Sequence, residues 1–338
     1  MILYLGNMLS SHGFTPTMME TIVPKLGKHL KIQAASNKKN EIFRFMDMNY
    51  VFWKNYSNAS LILIDVFSTK AFFFAFIFSL FSRLLRIPYI PILRGGDLSY
   101  RIKISPGLSR FVFCNSAINV TPSLFFKKRL DLNHYNMQYI PNFIQLDDYP
   151  FRLRKLLNPK LFWVRSFHKI YNPKMAIYVL YNILKEYSNA HLTMVGPEKD
   201  GSQKLCMDLA KDLGISEKIT FTGLLTKKRW ISLSDKSDIF INTTHVDNMP
   251  VSIIEALALG FPIVSTNIGG IPFLLKTGQN ALLVKDSSIN GMVEKIKLLL
   301  KSYHLSQMLS RNARITSEAY SWEYVYPKWE KIIDTYSK

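Results

Sequence analysis

The sequence predicts an α/β protein of two doubly wound parallel-sheet domains, and three observations lead there. At 338 residues the chain exceeds the roughly 250–300 at which one hydrophobic core gives way to two. Short apolar runs alternate with helical patterns through both halves, as βαβ units require. That periodicity lapses where Pro141, Asn142, Asp147, Asp148, Pro150, Asn158 and Pro159 crowd together, which marks a boundary. The expected units are residues 1–145, residues 150–315 and a closing helix over 318–338.

In the first half, the runs at 2–5, 61–65, 89–93, 110–114 and 138–140 read as strands. In the second half the strand candidates are 161–165, 191–195, 219–222, 239–242, 263–266 and 281–284. Helical patterns cover 173–186, 202–213 and 288–301. The last segment carries Trp322, Tyr326, Trp329 and Ile333 at helical spacing, so it needs a surface to dock on, and the first domain is the expected one.

The composition is that of a folded protein, with 48% hydrophobic and 20% charged residues. Its net charge of +19 implies an anionic partner. Residues 1–150 hold 17 Lys+Arg against 8 Asp+Glu, and the remainder 26 against 16, so neither a basic tail nor a block stands out. Evenly spread charge suits an anionic membrane surface better than nucleic acid, and no nucleic-acid motif is found. Cys114 and Cys206 stand singly, without metal-ligand spacing, which points to a reducing cytoplasm and no metal site. The N-terminal run from Met1 to Gly6 has no basic leader and reads as a first strand rather than a signal peptide. Residues 71–81 are almost wholly apolar but span about a dozen positions, short of the ~20 a membrane crossing needs, so they read as a buried helix or a membrane-dipping surface.

The most informative stretch follows the strand candidate at 239–242. A polar loop leads to Pro250, placed as a first helical residue, and Gly260 and Pro262 end the helix. That helix is apolar on every side except at Glu255. A lone carboxylate there needs a hydrogen-bonding partner, either a ribose or sugar hydroxyl or a neighbouring cation. Backbone amides at Asn248, Met249, Pro250 and Val251 (Pro250 itself lacking the N–H) would favour a phosphate. Diphosphate at the helix start and hydroxyls at Glu255 match one nucleotide sugar.

The run from Asp247 through Asn248, Met249, Pro250, Glu255 and Gly260 to Gly269 and Gly270 resembles the signature of glycosyltransferase family 4. These are retaining, metal-independent enzymes of the GT-B fold, with two Rossmann-like domains facing across a cleft. The resemblance implies that Asp247, where the family usually has Glu, contacts the donor sugar, and that Glu255 contacts the ribose. Arg165 and Lys169 stand where the family clamps the donor diphosphate. Gly196 after a strand, Gly223 and Leu224 before a helix, and the Ser321-Trp322-Glu323 run keep the family's order.

The first half matches more loosely. Gly13 lies in a polar loop after the first strand, where it serves either a phosphate or acceptor approach or only a turn. Arg94, with Gly95, Gly96 and Asp97, ends a strand at the edge where ligands bind in such sheets, as a binding loop or as a structural turn. The resemblance implies transfer of a sugar from a UDP- or GDP-sugar substrate, with no other cofactor, to a glycan or lipid-linked acceptor in bacterial surface polysaccharide synthesis, at the inner face of the plasma membrane. A nucleotide-sugar epimerase on the same fold, and a non-catalytic basic binding protein, are the alternatives.

Overall fold

The computed structural model describes all residues except Thr15, Asp97, Leu132, Asn133, His134 and Lys338, and the side chains of Arg129, Leu130 and Asp131. Asp97, named above beside Arg94, therefore lies outside the described residues. The chain divides into two compact units, Met1–Asn142 with Tyr326–Lys338, and Phe143–Val325.

The first unit contains β1 (Ile2–Leu5), α1 (Met18–Leu26), β2 (Ile32–Ala35), α2 (Glu41–Asn55), β3 (Leu61–Val66) and α3 (Phe72–Leu84). It continues with β4 (Tyr89–Leu93), α4 (Leu98–Ile104), α5 (Pro106–Cys114), β5 (Asn119–Thr121), α6 (Leu124–Asp131) and β6 (Met137–Tyr139). The strands form one parallel sheet in the order β2-β1-β3-β4-β5-β6. Every residue of β1, β3 and β4 is buried, as expected for strands covered on both faces.

Two expectations fail here for local reasons. Residues 110–114, read as a strand from their short apolar run, form the end of α5, because Pro106 starts a helix whose buried face is Ser109, Val112 and Phe113. The strand of that region is β5, a polar Asn-Val-Thr run that is nonetheless wholly buried, with Asn119 Nδ2 donating to the carbonyl of Phe113 at 2.9 Å. Strand β2, half-exposed at the sheet edge, was also not anticipated.

The second unit contains β7 (Lys160–Val164), α7 (Pro173–Leu184), β8 (His191–Val195), α8 (Ser202–Asp212), β9 (Ile219–Phe221), α9 (Lys227–Ser234) and β10 (Ile239–Asn242). Then follow α10 (Val251–Ala258), β11 (Ile263–Thr266), α11 (Ile271–Leu274), β12 (Leu282–Val284), α12 (Ile289–Lys301) and α13 (Tyr303–Glu318). The final helix α14 (Trp322–Tyr336) begins in this unit and continues into the first, where Tyr326 meets the His29 ring at 5.7 Å. The sheet is parallel throughout, in the order β12-β11-β10-β7-β8-β9. Alternate residues of β7 feed opposite cores: Leu161 and Trp163 on one face, Phe162 with Phe240 and Phe261 on the other.

Strand order reverses between β7 and β10. The chain winds outward from β7 through β8 and β9, then returns to β10 on the other side and winds outward again. Ligands in such sheets bind beyond the carboxyl ends of the strands at this switch point. Among the described residues no helix is long and apolar enough to cross a membrane.

Candidate nucleotide site at the β7–β10 switch point

Arg165 follows β7 directly and Asp247 lies in the loop after β10, and their side chains form an ion pair. Both are largely withdrawn from solvent, and the Arg165 guanidinium also lies over the Tyr171 ring at 4.6 Å. Burial pulls the Arg165 pKa below its ordinary value, opposed by the charges of Tyr171 and Glu255. Its Nε is buried and has no hydrogen-bond partner among the described residues. A buried, unmatched guanidinium donor is expensive unless a ligand completes it.

The two loops are stitched into one surface. Thr243 Oγ1 donates to the Tyr171 carbonyl at 2.8 Å and receives the Trp163 indole N–H at 3.1 Å. Thr244 Oγ1 donates to the Ile170 carbonyl at 3.1 Å, and the His245 amide to the same carbonyl at 2.8 Å. Lys169 sits in the 3-10 turn Lys169–Tyr171, with its amide donating to Asp200 Oδ2 at 2.9 Å and its side chain exposed.

Two glycines are required by this arrangement. At Gly196, with φ of 151°, a Cβ would lie 1.8 Å from the Arg165 carbonyl oxygen. At Gly270 it would lie 1.7 Å from the Asn248 carbonyl oxygen, while the Gly270 amide donates to the Asp247 carbonyl at 2.9 Å. Gly223 receives the Gly196 amide at 3.0 Å and turns the chain after β9, presenting Leu224 to solvent.

Helix α10 starts at Val251, one residue later than expected, with Pro250 as an extended N-cap that offers no side-chain hydrogen bond. Ser252, in its first turn, has a buried hydroxyl with no hydrogen-bond partner among the described residues. Asn248 and Met249 are half-buried beside it. Uncapped first-turn amides, an unpartnered hydroxyl and a buried Arg together suit an anion.

Glu255 is 8% exposed, one turn further along α10. Tyr149 donates its hydroxyl to Glu255 Oε1 at 2.6 Å, and Lys227 Nζ lies 3.3 Å from the same oxygen. Oε2 makes no hydrogen bond among the described residues, so it is the atom that can accept from a ligand hydroxyl. The ammonium of Lys227 also lies 5.4 Å from the Tyr149 ring centroid. Burial first, then the Glu255 charge, pushes the Tyr149 phenol well above its ordinary range, so it remains a donor. Arg314 fixes Tyr149 from below, donating to its carbonyl at 2.8 Å. Tyr149, Lys227 and Ser252 escaped the sequence reading. Tyr149 lies in the boundary segment, whose aromatic residue had no periodicity to mark it.

Arg165, Lys169, Gly196, Gly223, Leu224, Asp247, Asn248, Met249, Pro250, Val251 and Glu255 all belong to the second unit. Gly13 and Arg94 belong to the first. Gly13 follows a 3-10 turn at φ 79° in open space, so its glycine is explained by the turn alone. Arg94 is committed to its own protein: Nε donates to Asp65 Oδ1 at 3.0 Å, one terminal nitrogen to Asn142 Oδ1 at 3.2 Å and the other to the Tyr4 hydroxyl at 3.1 Å. Tyr4 in turn donates to Asp65 at 3.0 Å. This places Arg94 as a buried tie between β1, β3 and β4 rather than as a ligand-binding side chain.

Comparison with known proteins follows this division. Residues 150–316 match the family described as Glycosyl transferases group 1. The chain is 28% identical over 153 residues to an uncharacterized glycosyltransferase of Haemophilus influenzae, covering 45% of this chain and 42% of that protein. It is 27% identical over 150 residues to a D-inositol 3-phosphate glycosyltransferase of Gordonia bronchialis, covering 44% and 32%. The matched stretches thus span less than half the length of these relatives. In fold, the chain is similar to the Anabaena protein Alr3699/HepE in complex with UDP-glucose, with a TM-score of 0.77 at 12% identity over 99% of both chains.

Proposed function

We propose that this chain, which belongs to the GT-B glycosyltransferases and carries the group 1 domain over residues 150–316, transfers a sugar from a nucleotide-sugar donor to a hydroxyl acceptor with retention. The observation that carries the reading is the convergence, at one switch point, of a buried Arg165 with an unmatched Nε, the uncapped start of α10 and a carboxylate oxygen of Glu255 left open. The spacing suits the two ends of one donor: diphosphate at Arg165, Lys169 and the first turn of α10, ribose hydroxyls at Glu255.

In the transfer, the acceptor oxygen bonds to the anomeric carbon as the bond to the diphosphate oxygen breaks. The departing diphosphate takes the acceptor proton on the same face. Charge accumulates on the leaving phosphate, so Arg165 and Lys169, with the helix amides, lower the barrier by being fixed where that charge develops. Arg supplies a planar fork and Lys a point charge, the work a divalent ion does in other transferases. Asp247, paired with Arg165, is the residue assigned to the donor sugar in this reading. A glycan or lipid-linked sugar is the proposed acceptor, at an anionic membrane surface and in surface polysaccharide synthesis.

The base is addressed by a thermal-shift panel of nucleoside diphosphates and their sugars, beginning with UDP-glucose, which the similarly folded Anabaena protein binds. A ligand at a hundred times its Kd adds about 2.7 kcal/mol to stability, so one nucleotide should stand out. A flat panel would contradict the reading. Product analysis with and without acceptor separates transfer from epimerisation.

A further inference from the structure

Helix α2 has apolar residues on the wrong side. Its buried face is Arg44, Met48 and Phe52, which meet the rest of the first unit. Its opposite face carries Ile42, Phe43, Met46, Tyr50 and Trp53, each between 47% and 69% exposed. At the helical repeat these five positions fall within about 100° of arc, so they form one continuous stripe. Scattered exposed hydrophobes need no explanation, but a five-residue stripe on a single helix does.

The surroundings of the stripe indicate its occupant. Lys38 and Lys39 stand exposed before the helix, and Lys54 at its end reaches over the Tyr50 ring at 5.3 Å. Of the two nearby acids, Asp47 already accepts the Ser36 hydroxyl, while Glu41 lies in the first turn. Tyr and Trp on the apolar side are the residues that settle at a lipid headgroup boundary. The helix has 15 residues, about 22 Å, and the stripe runs along nearly its whole length, from Ile42 to Trp53. An apolar stripe of that size edged with cations fits a helix lying in a leaflet surface, where each Lys adds attraction to acidic headgroups.

We propose that the outward face of α2 docks this protein on an anionic lipid leaflet, with Ile42, Phe43, Met46, Tyr50 and Trp53 in the headgroup boundary. This rests on the reading of the protein as one that works at a membrane surface, and it assigns the role to α2 in place of the Phe-rich stretch at 72–78. In α3, Phe72 and Phe78 are buried, and Phe73, at 45%, is the exposed phenylalanine of that stretch.

The test is co-sedimentation with vesicles of phosphatidylglycerol and phosphatidylcholine, and with phosphatidylcholine alone. Wild type is expected to sediment with the acidic vesicles and to be released by salt. The triple variant Met46→Ser, Tyr50→Ser, Trp53→Ser should partition at least tenfold more weakly while keeping its circular dichroism and its affinity for free nucleotide. A second readout is independent of that variant: brominated lipid should quench part of the tryptophan emission in wild type, and Trp53→Phe should lose that part. Wild type that ignores acidic vesicles overturns the membrane reading itself, and this inference with it. Equal sedimentation of the triple variant, or quenching unchanged in Trp53→Phe, overturns the assignment to α2 and leaves the membrane reading standing. Concentration-dependent self-association that the triple variant abolishes would show the face to be an interface with a second copy, which also overturns it.

Discussion

Arg165 and Asp247, 82 positions apart in sequence, form a largely buried ion pair because β7 and β10 are neighbours at the point where the sheet reverses its winding. The pair sets the electrostatics of the site before any ligand arrives: Asp247 holds one terminal nitrogen of the fork, and Nε remains unmatched. Arg165→Lys keeps the charge but loses the fork. Charge-assisted hydrogen bonds are worth roughly 1.5–3 kcal/mol, so kcat/KM should fall about ten- to a hundredfold, with little change in thermal stability. Steady-state kinetics would show it; an unaffected rate would mean that Arg165 only props up the Asp247 loop.

Glu255→Gln preserves volume and removes the charge opposite the ribose position. Transfer should drop about ten- to a hundredfold, chiefly through KM for the donor. Tyr149→Phe deletes the donor to Oε1 but leaves Lys227 in place, so a few-fold rise in KM and about 1 kcal/mol of lost stability are expected. If both variants match wild type in donor affinity, the Tyr149-Glu255-Lys227 cluster is purely a packing feature.

How far the sequence revealed this site can be traced residue by residue. Glu255 stood out as the one charge on an apolar helix bounded by Pro250 and Gly260, whereas Arg165 and Asp247 were expected from the family resemblance alone. Tyr149, Lys227 and Ser252 were not visible, since their roles depend on which element packs beside which. For Arg94 the sequence left a binding loop and a structural turn open, and the bonds to Asp65 and Tyr4, which favour the structural role, depend on the same packing. Residues 110–114 show the period ambiguity of short apolar runs, resolved in the fold by Pro106. The outward stripe of α2 was hidden because apolar residues on both faces of a helix leave no clean period.

Gly270→Ala would force a Cβ to 1.7 Å from the Asn248 carbonyl oxygen, and the backbone there has no flexible side chain to yield. The loop after β10 must shift, so kcat/KM should fall at least tenfold while the sheet survives. Kinetics together with a melting curve decide it; normal turnover would show that the loop's present position is not the working one.

Acid stability should carry a small signature of Glu198. Its carboxyl is held below the ordinary value: desolvation, the largest single influence, raises it, and donation from the amides of Gln203, Asp200, Gly201 and Lys199 together outweighs that. A lowered folded-state pKa gives stability that is present above the unfolded value near 4.5 and is lost as pH falls through the folded one. Melting curves from pH 6 to 3 should therefore show wild type above Glu198→Gln at pH 6, with the gap closing as the pH falls below the unfolded value of 4.5. A gap that widens in acid would contradict the sign.

The central claim is that the carboxyl ends of β7 and β10, with the first turn of α10, bind the diphosphate of a nucleotide sugar through protein cations and amides. Calorimetric titration of wild type and Arg165→Ala with the nucleoside diphosphate selected by the thermal-shift panel, in excess chelator, tests it most directly. Saturable one-site binding by wild type, weakened at least tenfold in Arg165→Ala, is the expected result. Binding that vanishes in chelator and returns with Mg²⁺ or Mn²⁺, or that is indifferent to Arg165→Ala, would contradict it.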